Sequence, residues 1–186
     1  MIGYLHGKVI KANEKEIIIS VGGVGYKVAC TLPTLLSCAE NEEKGLFVHT
    51  RVREDAITLY GFSNEIELFV FEKLLDVSGV GPKSALAMLS VHSPSSIAEA
   101  VERGNSEMLA HTPGIGKKTT EKIIIELKGK LTHLQSGNDD DNTYEVRLAL
   151  EALGYSPREI NDVVGKLNKK EKDTGKLIKE ALTQLK

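Results

Sequence analysis

Val77-Ser78-Gly79-Val80-Gly81-Pro82-Lys83 and Thr112-Pro113-Gly114-Ile115-Gly116-Lys117-Lys118 are two copies of one pattern. With Gly114 laid on Gly79, each copy reads glycine, apolar residue, glycine, and each lies between two helical segments. Paired glycines permit a tight turn and leave the backbone bare, so that a phosphate oxygen can approach successive N–H groups. The helix that starts at once adds its unsatisfied N-terminal N–H groups and the positive end of its dipole. Lys83, Lys117 and Lys118 supply full charges nearby. The apolar residues Val80 and Ile115 are expected to plug each hairpin into the helices behind it.

This is the helix-hairpin-helix pattern. A single Gly-x-Gly between helices is more often a plain turn, because glycine is the default residue at such bends. Two copies, each followed by a lysine-led helix, favour the binding reading. The expected backbone-binding residues are Gly79, Val80, Gly81, Lys83, Gly114, Ile115, Gly116, Lys117, Lys118 and Lys122. Lys118 and Lys122 lie four apart on one helical face and extend a basic strip that a phosphate chain could follow. Lys128 and Lys130 read as solvated charges near a helix C-terminus. Backbone contact of this kind is indifferent to base sequence and sensitive to DNA shape.

Working outward, the first domain, residues 1–62, reads as strands. Glu16-Ile17-Ile18-Ile19-Ser20-Val21 is β-branched, Tyr26-Lys27-Val28-Ala29-Cys30 alternates, and glycines at 22, 23 and 25 punctuate the turn between them. From Leu46 to Arg53, alternation puts Leu46, Val48, Thr50 and Val52 on a core face. Phe47, His49, Arg51 and Arg53 then face solvent or ligand. Ile57-Thr58-Leu59-Tyr60 adds a strand. About five strands with one short helix suggest a small closed barrel of the OB type, with an open sheet as the alternative.

At Ser63-Asn64 the apolar period changes from two to 3.6, opening a helical domain over residues 63–134. Asn64 and Glu67 form a capping pair for a helix carrying Ile66, Phe69, Val70 and Leu74. Ser93-Pro94 starts another helix that Gly104 ends. A longer one, Lys117 to Leu131, is expected to bury Ile123, Ile124, Leu127 and Leu131. Residues 135–142, polar and acidic, read as a flexible linker. Beyond it, residues 143–186 carry three stripes: Val146, Ala149, Leu150, Leu153; Ile160, Val163, Val164, Leu167; and Leu177, Ile178, Ala181, Leu182, Leu185. Gly154 stops the first helix, and Ser156-Pro157-Arg158-Glu159 is a capping box opening the second. The chain is therefore expected to be an α+β multidomain protein ending in a small three-helix, UBA-like domain.

Composition bounds what this chain can do. Of 186 residues, 41% are hydrophobic and 27% charged, ordinary values for a globular chain. No run approaches the roughly 18 apolar residues of a membrane helix, and Met1-Ile2-Gly3-Tyr4-Leu5-His6-Gly7 lacks signal-peptide features, so a cytoplasmic location is expected. Net charge is −2 and the isoelectric point about 6.2. That excludes coating nucleic acid by bulk positive charge, and any grip on DNA must be local. Cys30 and Cys38 have no metal-type spacing and read as reduced thiols without an assigned role. His6, His49, His92, His111 and His133 form no paired ligand motif, and no metal or cofactor is expected.

Glu54-Asp55 occupies a turn between two expected strands. Acidic residues are common in turns; a nuclease would need further converging carboxylates to hold two metals. Together with this turn, Val21-Gly22-Gly23-Val24-Gly25-Tyr26, Val52-Arg53-Glu54-Asp55-Ala56, Leu59-Tyr60-Gly61-Phe62 and the two glycine hairpins, the second running on to Thr119, resemble the RuvA family. Members of that family are the Holliday-junction-binding subunits of RuvAB branch migration complexes, and the likeness runs from Met1 to the end of the chain.

The resemblance implies a homotetramer holding an open four-way junction on one face, with one or two tetramers per junction. It implies that Glu54 and Asp55 are an acidic pin where the strands cross. It also implies that residues 143–186 contact a hexameric RuvB-type ATPase and that a RuvC-type resolvase acts on the same junction, in recombination, DNA repair and the SOS response to DNA damage. Tyr4 and His6 stand where many members carry basic residues, Thr120 where alanine is usual, and the linker is short. A less basic first strand shifts the phosphate contacts toward Lys83, Lys117, Lys118 and Lys122.

The chain itself is expected to be non-catalytic. No stretch fits Gly-x4-Gly-Lys-Ser/Thr: Gly116-Lys117 is followed by Lys118, and His111 stands at the upstream glycine position. A glycosylase with similar hairpins would need a catalytic lysine or aspartate in a base-flipping pocket. Here the helix after Gly116 continues Lys, Lys, Thr, Thr, Glu, with no Gly/Pro-rich loop ending in aspartate. A protein-binding adaptor is separated from a DNA binder by salt dependence, which is steep only for phosphate contacts.

Overall fold

The computed structural model describes residues 1–134, 141–167 and 173–185. They form two compact units, residues 1–127 and 128–186.

In the first unit, β1 (Tyr4–Ala12), β2 (Glu16–Val21), β3 (Val24–Cys30), β4 (Glu43–Val52) and β5 (Ile57–Phe62) close a barrel in the order β1-β2-β3-β5-β4. The closed barrel expected from the alternation is present, and the open sheet is set aside. β1 pairs with both β2 and β4, and a bulge between Val9 and Lys11 bends it from one neighbour to the other. Closure is completed by a parallel pairing of β3 with β5, Cys30 opposite Gly61. A side chain on Gly61 would lie 2.6 Å from Val28 Cγ1, so this strand crossing needs glycine. The β2–β3 hairpin turns on Gly22 and Gly23, whose φ values of 58° and 84° are the left-handed pair that a two-residue turn requires.

Leu5, Val9, Ile17, Ile19, Val28, Leu46, Val48 and Leu59 fill the barrel. The short helix α1 (Leu32–Leu36) supplies Leu35 to the same core. Val52 departs from the expected core face and is exposed. It pairs with Ile57, also exposed, on the last rung of the β4–β5 ladder, where both strands have run past the core. Cys30 and Cys38 are both buried free thiols. Burial and the neighbouring Cys38 push the Cys30 thiol up to about 12, so it carries no thiolate chemistry near neutrality.

Helices α2 (Glu65–Leu75), α3 (Pro82–Val91), α4 (Pro94–Arg103), α5 (Ser106–Ala110) and α6 (Lys117–Leu127) complete the unit. The local signals work as read. Asn64 caps α2 through the Glu67 N–H, Ser93 caps α4 ahead of Pro94, and Gly104 ends α4 at φ 69°. The last helix is shorter than expected, because Gly129 at φ 79° follows Leu127 by two residues and takes the backbone out of the helix. Ile123 and Leu127 are buried, Ile124 is half-buried, and Leu131 is buried beyond the helix end.

The second unit carries α7 (Asp141–Ala152), α8 (Pro157–Val164) and α9 (Thr174–Gln184). Val146, Leu150, Ile160, Val163, Val164, Leu167, Leu177 and Ala181 form its core. Leu153, expected on the apolar stripe, is exposed, because the helix has already ended at Ala152 and Gly154 turns the chain at φ 90°. The capping box is made: the Ser156 N–H donates to Glu159 Oε2 at 2.9 Å, and the Glu159 N–H donates to Ser156 Oγ at 3.4 Å. Of the expected linker, residues 135–140 lie outside the described residues, and Asp141 and Asn142 are already helical.

Candidate nucleic-acid interface

The two glycine hairpins have the same backbone. In the first, the Val80 N–H donates to the Val77 carbonyl at 3.0 Å, with Gly79 at φ 90°. In the second, the Ile115 N–H donates to the Thr112 carbonyl at 3.1 Å, with Gly114 at φ 78°. A positive φ at the third residue of a closed four-residue turn is the type II geometry, which demands glycine there. Val80 and Ile115 are buried, as expected of plugs. Because their N–H groups close the turns, they are tied up in the fold. The donors left for a phosphate are those of the flanking glycines and of the first turn of α3 and α6.

Gly81 and Gly116 call for a different explanation from Gly79 and Gly114. Gly81 sits at φ −101°, ψ 171°, extended backbone that any residue adopts. A Cβ on either Gly81 or Gly116 would meet nothing within 4 Å. Neither a left-handed backbone nor internal crowding therefore asks for glycine, which leaves only the mild preference of a helix N-cap, the position Gly81 occupies. Both glycines are open to an outside group, and the helix N-terminus behind each offers unpaired N–H groups suited to an anion. Lys83, Lys117, Lys118 and Lys122 are all exposed around these two points.

Thr120 is fully buried one turn into α6, and its hydroxyl donates to the Lys117 carbonyl at 2.8 Å. A threonine there is thus accommodated inside the helix without an unpaired polar group. Tyr4 and His6 are exposed on β1, with Tyr4 packed edge-on against Phe47 at 5.3 Å.

The tertiary fold adds residues that the linear pattern did not single out. A groove of about 480 Å³ runs between the barrel and the first hairpin, lined by Arg51, Arg53, Asp55, Thr58, Tyr60, Gly81 and Lys83 among others. Three cationic side chains and one open glycine thus share a single trough. Alternation along β4 had placed Arg51 and Arg53 on one outward face, but nothing local said that the face would meet residues near position 80. Asp55, one of the lining residues, forms the exposed two-residue β4–β5 turn with Glu54, and the Arg53 N–H donates to the Ala56 carbonyl at 2.8 Å. The Asp55 carboxylate therefore shares the groove with Arg51, Arg53 and Lys83.

Among the described residues, no group of three or more His, Cys, Asp or Glu side chains is placed to hold a metal ion. None of the helices there is long and apolar enough to cross a membrane. His92 is held below the ordinary histidine value by burial and by nearby His111, and its buried Nε2 has no hydrogen-bond partner.

Comparison with known proteins agrees with this layout. Residues 1–61 match the family model described as the RuvA N terminal domain, residues 71–130 the SAM-like helix-hairpin-helix tandem, and residues 141–186 the RuvA C-terminal domain. A Holliday junction branch migration complex subunit RuvA from Legionella pneumophila is 38% identical over 193 residues, covering 98% of this chain and 97% of its own. The protein of the same description from Lactobacillus gasseri is 40% identical over 191 residues, covering 100% and 98%. That from Actinobacillus pleuropneumoniae is 39% identical over 197 residues, covering 98% of each.

Proposed function

The chain belongs to the RuvA family, and on that premise we propose that it binds Holliday (four-way) junction DNA by shape, independently of base sequence. It acts as the non-catalytic DNA-binding subunit of a branch migration complex in recombination and DNA repair. The observation that carries this reading is the pair of matched hairpins, each with an outward glycine that neither backbone strain nor internal crowding requires. With a net charge of −2 the chain cannot hold DNA by bulk attraction, so two local phosphate grips and a cationic groove do the work.

Assembly follows from the geometry of the ligand. A homotetramer, used singly or as two facing tetramers, places four copies of the Glu54–Asp55 turn where the strands cross. A carboxylate about 4 Å from a phosphate costs about 1 kcal/mol in water and about 4 kcal/mol at the dielectric of a protein surface. The pin therefore penalises continuous duplex at the centre and favours a junction, whose strands part there. The groove and hairpins lead each arm outward. Residues 143–186 dock on a RuvB-type hexameric ATPase, which supplies the motive power in the cytoplasm, and a RuvC-type resolvase cuts the junction that the assembly holds open.

A gel-shift titration of a synthetic four-way junction against linear duplex of equal length tests this. The junction is bound more tightly, and Glu54→Gln with Asp55→Asn narrows the difference by strengthening duplex binding. Equal affinity of the wild-type protein for both DNAs would overturn the reading.

A further inference from the structure

We infer that His49 and Glu72 are a positioning pair, which holds the first glycine hairpin at the spacing from β4 that lets Arg51, Arg53 and Lys83 grip one run of phosphates. The inference rests on the DNA-binding reading above and assigns a role to two residues outside the groove.

His49 Nδ1 and Glu72 Oε1 are 3.0 Å apart. His49 lies on the outward face of β4 that also carries Arg51 and Arg53. Glu72 lies on α2, the helix that leads directly into the hairpin. The His49 ring stands edge-on to Phe71 at 5.4 Å, and Phe71 in turn contacts Tyr60, a groove residue, at 5.3 Å. Buried Val70, Phe71 and Leu74 hold the helix against the barrel, and the hydrogen bond, which has a direction, adds a fixed point at the hairpin end of α2.

α2 has a second polar attachment near its other end, where Thr34 Oγ1 donates to Glu67 Oε2 at 3.3 Å. Glu67 and Glu72 are five residues apart, about 7.5 Å along the axis, and two such points define the helix direction. Without the His49 contact the hairpin end of α2 loses its directional hold, and only packing then limits small tilts about Glu67. The hairpin begins about ten residues beyond that point, a lever of about 15 Å, so a tilt of about 4° displaces it by about 1 Å. That is enough to spoil hydrogen bonds from the hairpin and the barrel to the same phosphates. The Glu72 side chain is 52% exposed, and polar contacts at such exposure contribute little to stability. The pair therefore serves geometry more than stability.

The test measures junction affinity by fluorescence anisotropy in three backgrounds: wild type, Lys83→Ala and Lys118→Ala. Glu72→Ala and His49→Ala each weaken wild-type binding about fivefold. His49→Asn, which can still donate to Glu72, restores most of the loss. In the Lys83→Ala background Glu72→Ala has little further effect, because the groove no longer closes on phosphate. In the Lys118→Ala background, where only the second hairpin is impaired, the full loss remains. An equal loss in both lysine backgrounds would mean general destabilisation and overturn the inference, as would unchanged affinity in Glu72→Ala. A wild-type protein with no preference for the junction would instead remove the DNA-binding reading on which the pair's role depends.

Discussion

Replacing Gly81 with alanine separates what the fold needs from what DNA needs. The residue is extended, at φ −101° and ψ 171°, and an added Cβ meets no atom within 4 Å. The following Pro82 also favours extended backbone at this position, which alanine adopts readily. Two small terms then oppose each other in stability. Alanine is a poorer residue than glycine just before a helix, by about 0.5–1 kcal/mol. It also restricts the unfolded chain, which stabilises by about 0.4–1 kcal/mol. The net change in unfolding free energy is about zero. DNA binding is another matter, because the methyl group occupies the space through which a phosphate reaches the amides. Loss of one charge-assisted hydrogen bond costs about 1.5–3 kcal/mol, at least about tenfold in Kd. Gly79→Ala is the control. At φ 90° a left-handed alanine costs about 1–2 kcal/mol of stability, so that variant loses both properties. Urea denaturation followed by circular dichroism reads the first quantity, and anisotropy on a four-way junction reads the second. A Gly81→Ala protein that is as stable as wild type and binds the junction equally well would refute the claim that the open glycine face receives phosphate.

Three further outcomes are expected. Lys118→Ala weakens junction binding and flattens the plot of log affinity against log salt by roughly one phosphate contact; an unchanged slope in a salt series would leave Lys118 as a merely solvated charge. Gly61→Ala forces a methyl group against Val28, Cys30 and Leu46 inside the barrel and destabilises the protein by about 1–3 kcal/mol, measured as a lower urea midpoint. The Glu159 carboxyl is held below its ordinary value of 4.5 by hydrogen bonds from Ser156. A depressed folded-state value gives stabilisation that is complete above the ordinary value and disappears as pH falls through the depressed one. Ser156→Ala therefore melts below wild type near neutrality, and the gap narrows in acid when followed by far-UV circular dichroism. A gap that stays constant with pH would show that the capping carboxylate does not contribute.

The features legible in the chain are those whose cause lies within a few residues. Asn64, Ser93 and Ser156 cap helices through the amide three positions on, so side chain and target appear together in the text of the sequence. Gly104 and Gly154 end helices for reasons equally local. Elsewhere a stronger constraint overrides the local spacing. The apolar spacing from Ile123 to Leu131 suits a continuing helix, but Gly129 overrides it. Alternation likewise carried Val52 onto the core face, because period two says nothing about where a barrel stops.

The twin hairpins show where the boundary falls. Sequence by itself determined that Gly79 and Gly114 turn the chain, that Val80 and Ile115 anchor the turns, and that a helix with lysine in its first turn follows each. Backbone sterics and helix ends are local, and one strand of text contains them. Only the tertiary structure decided that Arg51 and Arg53 face Gly81 and Lys83 across one groove, and that Glu72 reaches His49. Those contacts depend on how the closed barrel twists and on the rotation at which α2 packs against it. Both are set by the summed packing of many side chains distant in sequence, which no spacing along the chain records.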